Sequence, residues 1–187
     1  MKGRLIYLMG PSGSGKDSLI EAARTPLLAQ GCEVARRIIT RSAQAMGEDA
    51  IGVSREEFER RRQAGEFALH WSANGLDYAI PASIDHWLEN GRDVLVNGSR
   101  GHLAHALARY PALLPILLTV KDDVLRGRLL RRGRESLSEI DARLKRNEMF
   151  MSDDAVYIHR LDNSGHLATT VAQLLDLLRL SAEPDQT

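Results

Sequence analysis

The apolar run Leu5-Ile6-Tyr7-Leu8-Met9 empties directly into Gly10-Pro11-Ser12-Gly13-Ser14-Gly15-Lys16-Asp17, after which a helical pattern begins. No other stretch restricts the fold so tightly. A short apolar strand feeding a glycine turn and then a helix belongs to an α/β chain. Glycines at 10, 13 and 15 let the backbone turn sharply and aim its N–H groups inward. The helix adds its positive N-terminal end, and Lys16 adds a point charge for the outer phosphates. Together they form a cradle for a nucleoside triphosphate, a P-loop. The predicted ATP-binding residues are Gly10, Pro11, Ser12, Gly13, Ser14, Gly15, Lys16, Asp17 and Ser18.

Asp17 departs from the general pattern, which places Ser or Thr after the lysine. A bare carboxylate beside a triphosphate repels it, so a cation is expected between them. Asp is a hard-oxygen ligand for Mg²⁺, directly or through water. Asp17 is therefore the candidate metal ligand. A simpler role, complementing the positive end of the helix, stays open beside it.

Short apolar runs alternate with longer helical patterns along all 187 residues, and no linker or repeat divides them. This predicts a single α/β domain of the P-loop NTPase type, a parallel sheet flanked by helices. Strands are expected near Arg4 to Met9, Val34 to Thr40, Asp93 to Asn97, Leu114 to Val120 and Val156 to Leu161. A further extended piece lies near Phe67 to Trp71. Helices should start after Gly15, at Ser54, at Ser83, near Arg100, at Asp122, at Ser136 and near Ser164. Ser54 with Glu57 and Ser136 with Glu139 read as capping boxes. Gly91 reads as a helix stop, and the polar tail Ser181 to Thr187 as disordered.

Lysine plus arginine and aspartate plus glutamate each number 25, so no global field favours nucleic acid or an anionic membrane. Anion binding must come from local clusters. Cys32 is the only cysteine, which excludes an internal disulfide and a cysteine-rich metal site. The run from Leu5 to Met9 is too short for a membrane span or a leader core, and a cytoplasmic location is expected. Monomer and homodimer both remain open.

One local cluster stands out. Arg126, Arg128, Arg131, Arg132 and Arg134 alternate with Leu125, Leu129 and Leu130, and Arg143 and Arg146 follow. The leucines are expected to dock one helix face and leave guanidiniums for charge on a transferring phosphoryl group. Lys16, Arg128, Arg132 and Arg143 are the catalytic candidates.

Gly10 to Asp17, Thr40-Arg41, Gly47-Glu48, Phe58, Gly65-Glu66-Phe67, Tyr78 and Arg128-Leu129 together resemble the guanylate kinase superfamily, in order and over nearly the whole chain. The resemblance implies a core (1–35, 91–121 and 155–180), an acceptor-binding insertion (about 36–90) and an arginine-rich lid (about 122–150). It also implies that Arg41 and Tyr78 grip the acceptor's phosphate. The guanine-reading positions depart from that pattern. Leu69 and Ile80 stand where the superfamily has a glutamate and a serine, and Val94 to Arg100 lacks the expected acids. A guanine edge facing Leu69 would lose roughly 1–3 kcal/mol per unpaired polar group.

The departures match one subgroup. Gly15-Lys16-Asp17-Ser18, Ile39-Thr40-Arg41, Gly47-Glu48-Asp49, Val53-Ser54, Phe67-Ala68-Leu69-His70-Trp71, Gly75-Leu76, Tyr78, Ile80-Pro81 and Val96-Asn97-Gly98-Ser99-Arg100 are similar to the ribose 1,5-bisphosphate phosphokinases of phosphonate breakdown. This implies phosphoryl transfer from ATP to ribose 1,5-bisphosphate, giving 5-phosphoribosyl 1-diphosphate. Arg41, Tyr78, Asn97 and Arg100 are the acceptor candidates, with Arg41 expected at one anionic end and Arg36, Arg37, Arg100 and His70 competing for the other. A phosphate acceptor is largely ionised near neutrality and needs no general base. A guanylate kinase, a sugar kinase and a non-catalytic interaction module are the alternatives.

Overall fold

The structure, a computed structural model, describes residues 2–41, 49–133, 136–150 and 157–181, with the backbone alone at 146–150 and 180. Gly47-Glu48, Arg134, Val156, the Arg146 side chain and the tail beyond Ser181 lie outside the described residues. The chain divides into two units, 1–8 with 23–114 and 9–22 with 115–187.

The first unit holds the parallel strands β1 (Leu5–Met9, through Leu8), β2 (Cys32–Val34) and β7 (Asp93–Asn97) in the order β2-β7-β1. Leu5 pairs with Val94 and Leu8 with Asn97. Every residue of β1 is buried, as are Val94 to Asn97, which explains runs without polar alternation. A second sheet has the order β4-β3-β6-β5, from β3 (Ile38–Ile39), β4 (Ile51–Gly52), β5 (Phe67–Ala73) and β6 (Leu76–Pro81). Strands β5 and β6 form a hairpin across Asn74-Gly75, both at positive φ (51° and 75°). That pair suits the type I′ turn whose twist matches flanking strands. Helix α2 (Arg55–Gln63) inserts Phe58 against Ile38, Phe67 and Ala79. Helices α3 (Ser83–Glu89) and α4 (Leu103–Arg109) complete the unit, a 3₁₀ turn at Arg100–His102 preceding α4.

The single strand expected over Val34 to Thr40 is two short ones in different sheets. β2 pairs with β7, whereas β3 pairs with β4 and β6. Arg36 and Arg37 lie in the link between them, not on a strand. Extended residues carry no mark of which sheet they join, so periodicity runs across the switch.

The second unit begins with the glycine turn and α1 (Lys16–Ala29, through Ala22), whose start is where the sequence places it. Its strands β8 (Leu114–Thr119) and β9 (His159–Asp162) pair in parallel. Helices α5 (Asp122–Arg132) and α6 (Leu137–Phe150) pack through Leu125, Leu129, Ile140 and Leu144. Leu130, expected to dock with them, is instead 46% exposed, because it sits one position round the helix from Leu129. Helix α7 (Leu167–Leu180) buries Thr170, Leu174 and Leu178.

The capping boxes divide. At α6 the box is reciprocal: Ser136 N donates to Glu139 Oε2 at 2.7 Å, and Glu139 N donates to Ser136 Oγ at 3.4 Å. At α2 only half forms. Glu57 N donates to Ser54 Oγ, but the Glu57 carboxylate accepts from Arg60 and Arg61. The fold class is α/β with mostly parallel central strands and flanking helices. No helix among the described residues is long and apolar enough to cross a membrane.

Candidate active site

In the second unit the turn after β1 is held open by its own geometry. Gly13 and Gly15 have φ of 94° and 92°, and a Cβ on Gly15 would lie 2.6 Å from Asn163 Nδ2. A side chain at Gly15 is therefore excluded by both strain and space. Ser14 N donates to Pro11 O at 3.1 Å, closing the turn. The Lys16 ammonium donates to the carbonyls of Gly10 (2.6 Å) and Pro11 (3.4 Å), so the cation lies over the turn. Ser14 is fully buried, and its hydroxyl has no hydrogen-bond partner among the described residues. An enclosed polar group without a partner is costly unless a ligand completes it. This fits a phosphate-holding turn. Ser12, Asp17 and Ser18 are exposed.

The arginines of α5 and α6 differ in their surroundings. Arg126 pairs with Asp141 across the two helices. Arg128 reaches the turn: Nη1 donates to Ser14 O at 3.2 Å and Nη2 to Asn163 O at 2.7 Å. Arg132 is exposed in the last turn of α5, and Arg143 is half-buried on α6. Asn163, absent from the sequence-based candidates, donates from Nδ2 to Ser14 O at 2.8 Å.

In the first unit, Tyr78 on β6 faces Ile39 on β3 and Trp71 on β5. The rings of Trp71 and Tyr78 are 5.7 Å apart and 8° from parallel. His102 continues the column on Trp71 at 5.5 Å, and His105 stacks on His102 at 4.8 Å. The Arg37 guanidinium lies 5.1 Å from the Tyr78 ring centre. Arg36 pairs with Asp49, which also binds Arg24. His70 pairs with Ala79, so strand alternation puts it on the opposite face from Tyr78. Thr40 is buried, its hydroxyl accepting from Asp77 N at 2.8 Å, and Arg41 follows it half-exposed.

At the end of β7, Asn97 is buried and Arg100 half-buried. Arg100 Nη1 is enclosed with no hydrogen-bond partner among the described residues. A guanidinium donor in that state is ready for an anion. Tyr7 underlies this corner, its hydroxyl accepting from Ser99 N and donating to Ser99 O, both at 3.0 Å. Burial pushes the Tyr7 phenol up to about 12, against a smaller lowering by the Ser99 hydrogen bond and Arg37. Leu69 (4% exposed) and Ile80 (0%) pair across β5 and β6, two buried apolar side chains.

No group of three or more His, Cys, Asp or Glu suited to a metal ion occurs among the described residues.

No protein-family model matches the sequence. Among curated proteins, a ribose 1,5-bisphosphate phosphokinase PhnN from Azotobacter vinelandii is 60% identical over 182 residues, 97% of this chain and 99% of that protein. One from Pseudomonas paraeruginosa is 59% identical over 94% of this chain and 95% of that protein. Among solved structures, a guanylate kinase from Anaplasma phagocytophilum superposes with a TM-score of 0.74 at 20% identity, covering 98% of this chain and 88% of that one. The last likeness concerns the fold alone.

Proposed function

Since the chain belongs to the ribose 1,5-bisphosphate phosphokinase family, we propose that it transfers the γ-phosphoryl group of ATP to ribose 1,5-bisphosphate. The near-full-length identity with the Azotobacter protein carries this reading. An oxygen of the 1-phosphate attacks the γ-phosphorus, a new P–O bond forms, and the bond to the β-phosphate oxygen breaks. The products are 5-phosphoribosyl 1-diphosphate and ADP. The attacking oxygen is already ionised, since the second phosphate pKa is about 6, so no base is required. Positioning and charge neutralisation supply the catalysis.

Residues Gly10 to Ser18 hold the ATP phosphates, and Lys16 turns from the Gly10 carbonyl toward them. Asp17 would help hold Mg²⁺, which would supply charge neutralisation on the triphosphate. Arg132 and Arg143, in a lid over about 122–150, neutralise the transferring group. Arg128 acts through the turn it touches. Arg41, Tyr78, Asn97 and Arg100 hold the acceptor, on an insertion over about 36–90 and at the end of β7. The buried Leu69–Ile80 pair supports a base-free acceptor over GMP.

The test is ADP release with ribose 1,5-bisphosphate, GMP or gluconate as acceptor. Turnover with the bisphosphate alone supports the reading, and preference for GMP or gluconate overturns it.

A further inference from the structure

Asn163 sits just beyond β9, far along the chain from the glycine turn, yet it is 3% exposed and bonded on every side. Its backbone N–H donates to Thr119 O at 2.8 Å, which fixes it to β8. Its backbone carbonyl accepts from Arg128 Nη2. Its side-chain Nδ2 donates to Ser14 O at 2.8 Å. Its Oδ1 accepts from the hydroxyl of buried Thr170 on α7 at 2.9 Å.

The amide orientation follows from chemistry. Ser14 O can only accept, so the NH₂ end must face it, and the oxygen end must face Thr170. The Thr170 hydroxyl has one proton; its other acceptor, Asp162 O, is farther away at 3.4 Å. With Arg128 Nη1 at 3.2 Å, Ser14 O receives two donors, one for each lone pair. In a trans peptide the carbonyl and the following N–H point in opposite directions. A Ser14 carbonyl pinned by Asn163 and Arg128 therefore aims the Gly15 N–H the other way.

We infer that Asn163 is a positioning residue for nucleotide binding, holding the Ser14–Gly15 peptide so that the Gly15 N–H is presented to a phosphate oxygen. Thr170 sets the Asn163 amide, and Arg128 is the second clamp on the same carbonyl. This rests on the reading of residues 10–18 as the ATP cradle. The glycine at position 15 fits the same account, because the Asn163 amide takes the space its side chain would need.

The test measures nucleotide affinity by Mg-ATP titration and KM for each substrate in Asn163→Ala, Asn163→Asp, Thr170→Val and Thr170→Ser. Loss of the clamp predicts about a tenfold weaker Mg-ATP affinity in Asn163→Ala, the size of one net hydrogen bond. Asn163→Asp should be weaker still, since it sets a carboxylate against a carbonyl. The near-isosteric Thr170→Val, which keeps the packing if Asn163→Ala does not fold, should weaken Mg-ATP several-fold, and Thr170→Ser should restore it. The acceptor KM should be unchanged throughout. Variants that lose thermal stability while binding Mg-ATP like the parent overturn the inference and leave the cradle reading standing. A parent protein that does not bind Mg-ATP overturns the cradle reading itself.

Discussion

Trp71 and Tyr78 face each other directly across β5 and β6, their rings stacked 5.7 Å apart. An indole in that position fixes the plane of the phenol, and with it the direction of a hydroxyl proposed to meet the acceptor's phosphate. Aromatic pairs of this kind contribute about 0.5–1.5 kcal/mol beyond area burial. Trp71→Ala should raise the acceptor KM roughly tenfold at most, with the ATP KM unchanged, and Trp71→Phe should recover most of the loss. Steady-state kinetics with each substrate varied in turn checks this.

Arg100 carries an enclosed nitrogen without a hydrogen-bond partner among the described residues, which favours ligand binding at the expense of stability. Arg100→Met should keep or raise the melting temperature, because it removes an unpaired donor. The same change should weaken acceptor binding by roughly tenfold or more, the scale of a charge-assisted hydrogen bond. A parallel fall in stability and affinity would contradict the assignment. Thermal melts beside acceptor KM values separate the two outcomes.

Tyr7 and Gly98 are matched in shape. A Cβ on Gly98 would lie 2.3 to 2.6 Å from the carbons of the fully buried Tyr7 ring. Gly98→Ala must displace the ring or the segment leading to Ser99 and Arg100. Overpacking of this sort costs about 1–3 kcal/mol. Tyr7→Phe leaves the Ser99 N–H and carbonyl without their shared hydroxyl, at a similar cost of roughly 1–3 kcal/mol. Urea denaturation of both variants should show midpoints below the parent.

His102 has its pKa lowered from 6.5, first by burial and then by the positive charges of His105 and His70. A lowered pKa means that the unfolded chain takes up the proton before the native one does. Stability from neutral His102 is therefore present above pH 6.5 and is lost as pH falls from there through the lower native value. Melting temperature should drop on going from pH 7.5 to 5, and His102→Asn should flatten part of that slope. Equal slopes in parent and variant would contradict the assignment.

The legible parts of this chain are those where neighbouring residues carry the signal. The glycine turn, the start of α1, the capping of α6 and the Leu125–Leu129 docking face all depend on spacing of seven residues or fewer. The hairpin turn at Asn74-Gly75 was equally local, a dipeptide suited to two positive φ values, though the extended piece near Phe67 to Trp71 stops short of it. Other features had no such mark. Ala35 to Arg37 carry the chain from one sheet to another without a glycine or proline to announce it. The arginine cluster marks Arg128 but not its two partners, which are backbone carbonyls, and every residue has a carbonyl. Asn163 was invisible for the same reason: its partner at Ser14 is main chain, and its partner at Thr170 is an ordinary helix residue. The stacking of His102 on Trp71 joins elements that only the folded chain brings together.

The most direct test of phosphoryl transfer onto a phosphate is phosphorus NMR of the purified protein with Mg-ATP and ribose 1,5-bisphosphate. The account predicts that the 1-phosphate resonance is replaced by the coupled pair of a diphosphate, in step with ADP and with the 5-phosphate unchanged. ATP consumption that yields inorganic phosphate alone, or no change in the sugar phosphate signals while the protein is folded and binds Mg-ATP, would contradict it.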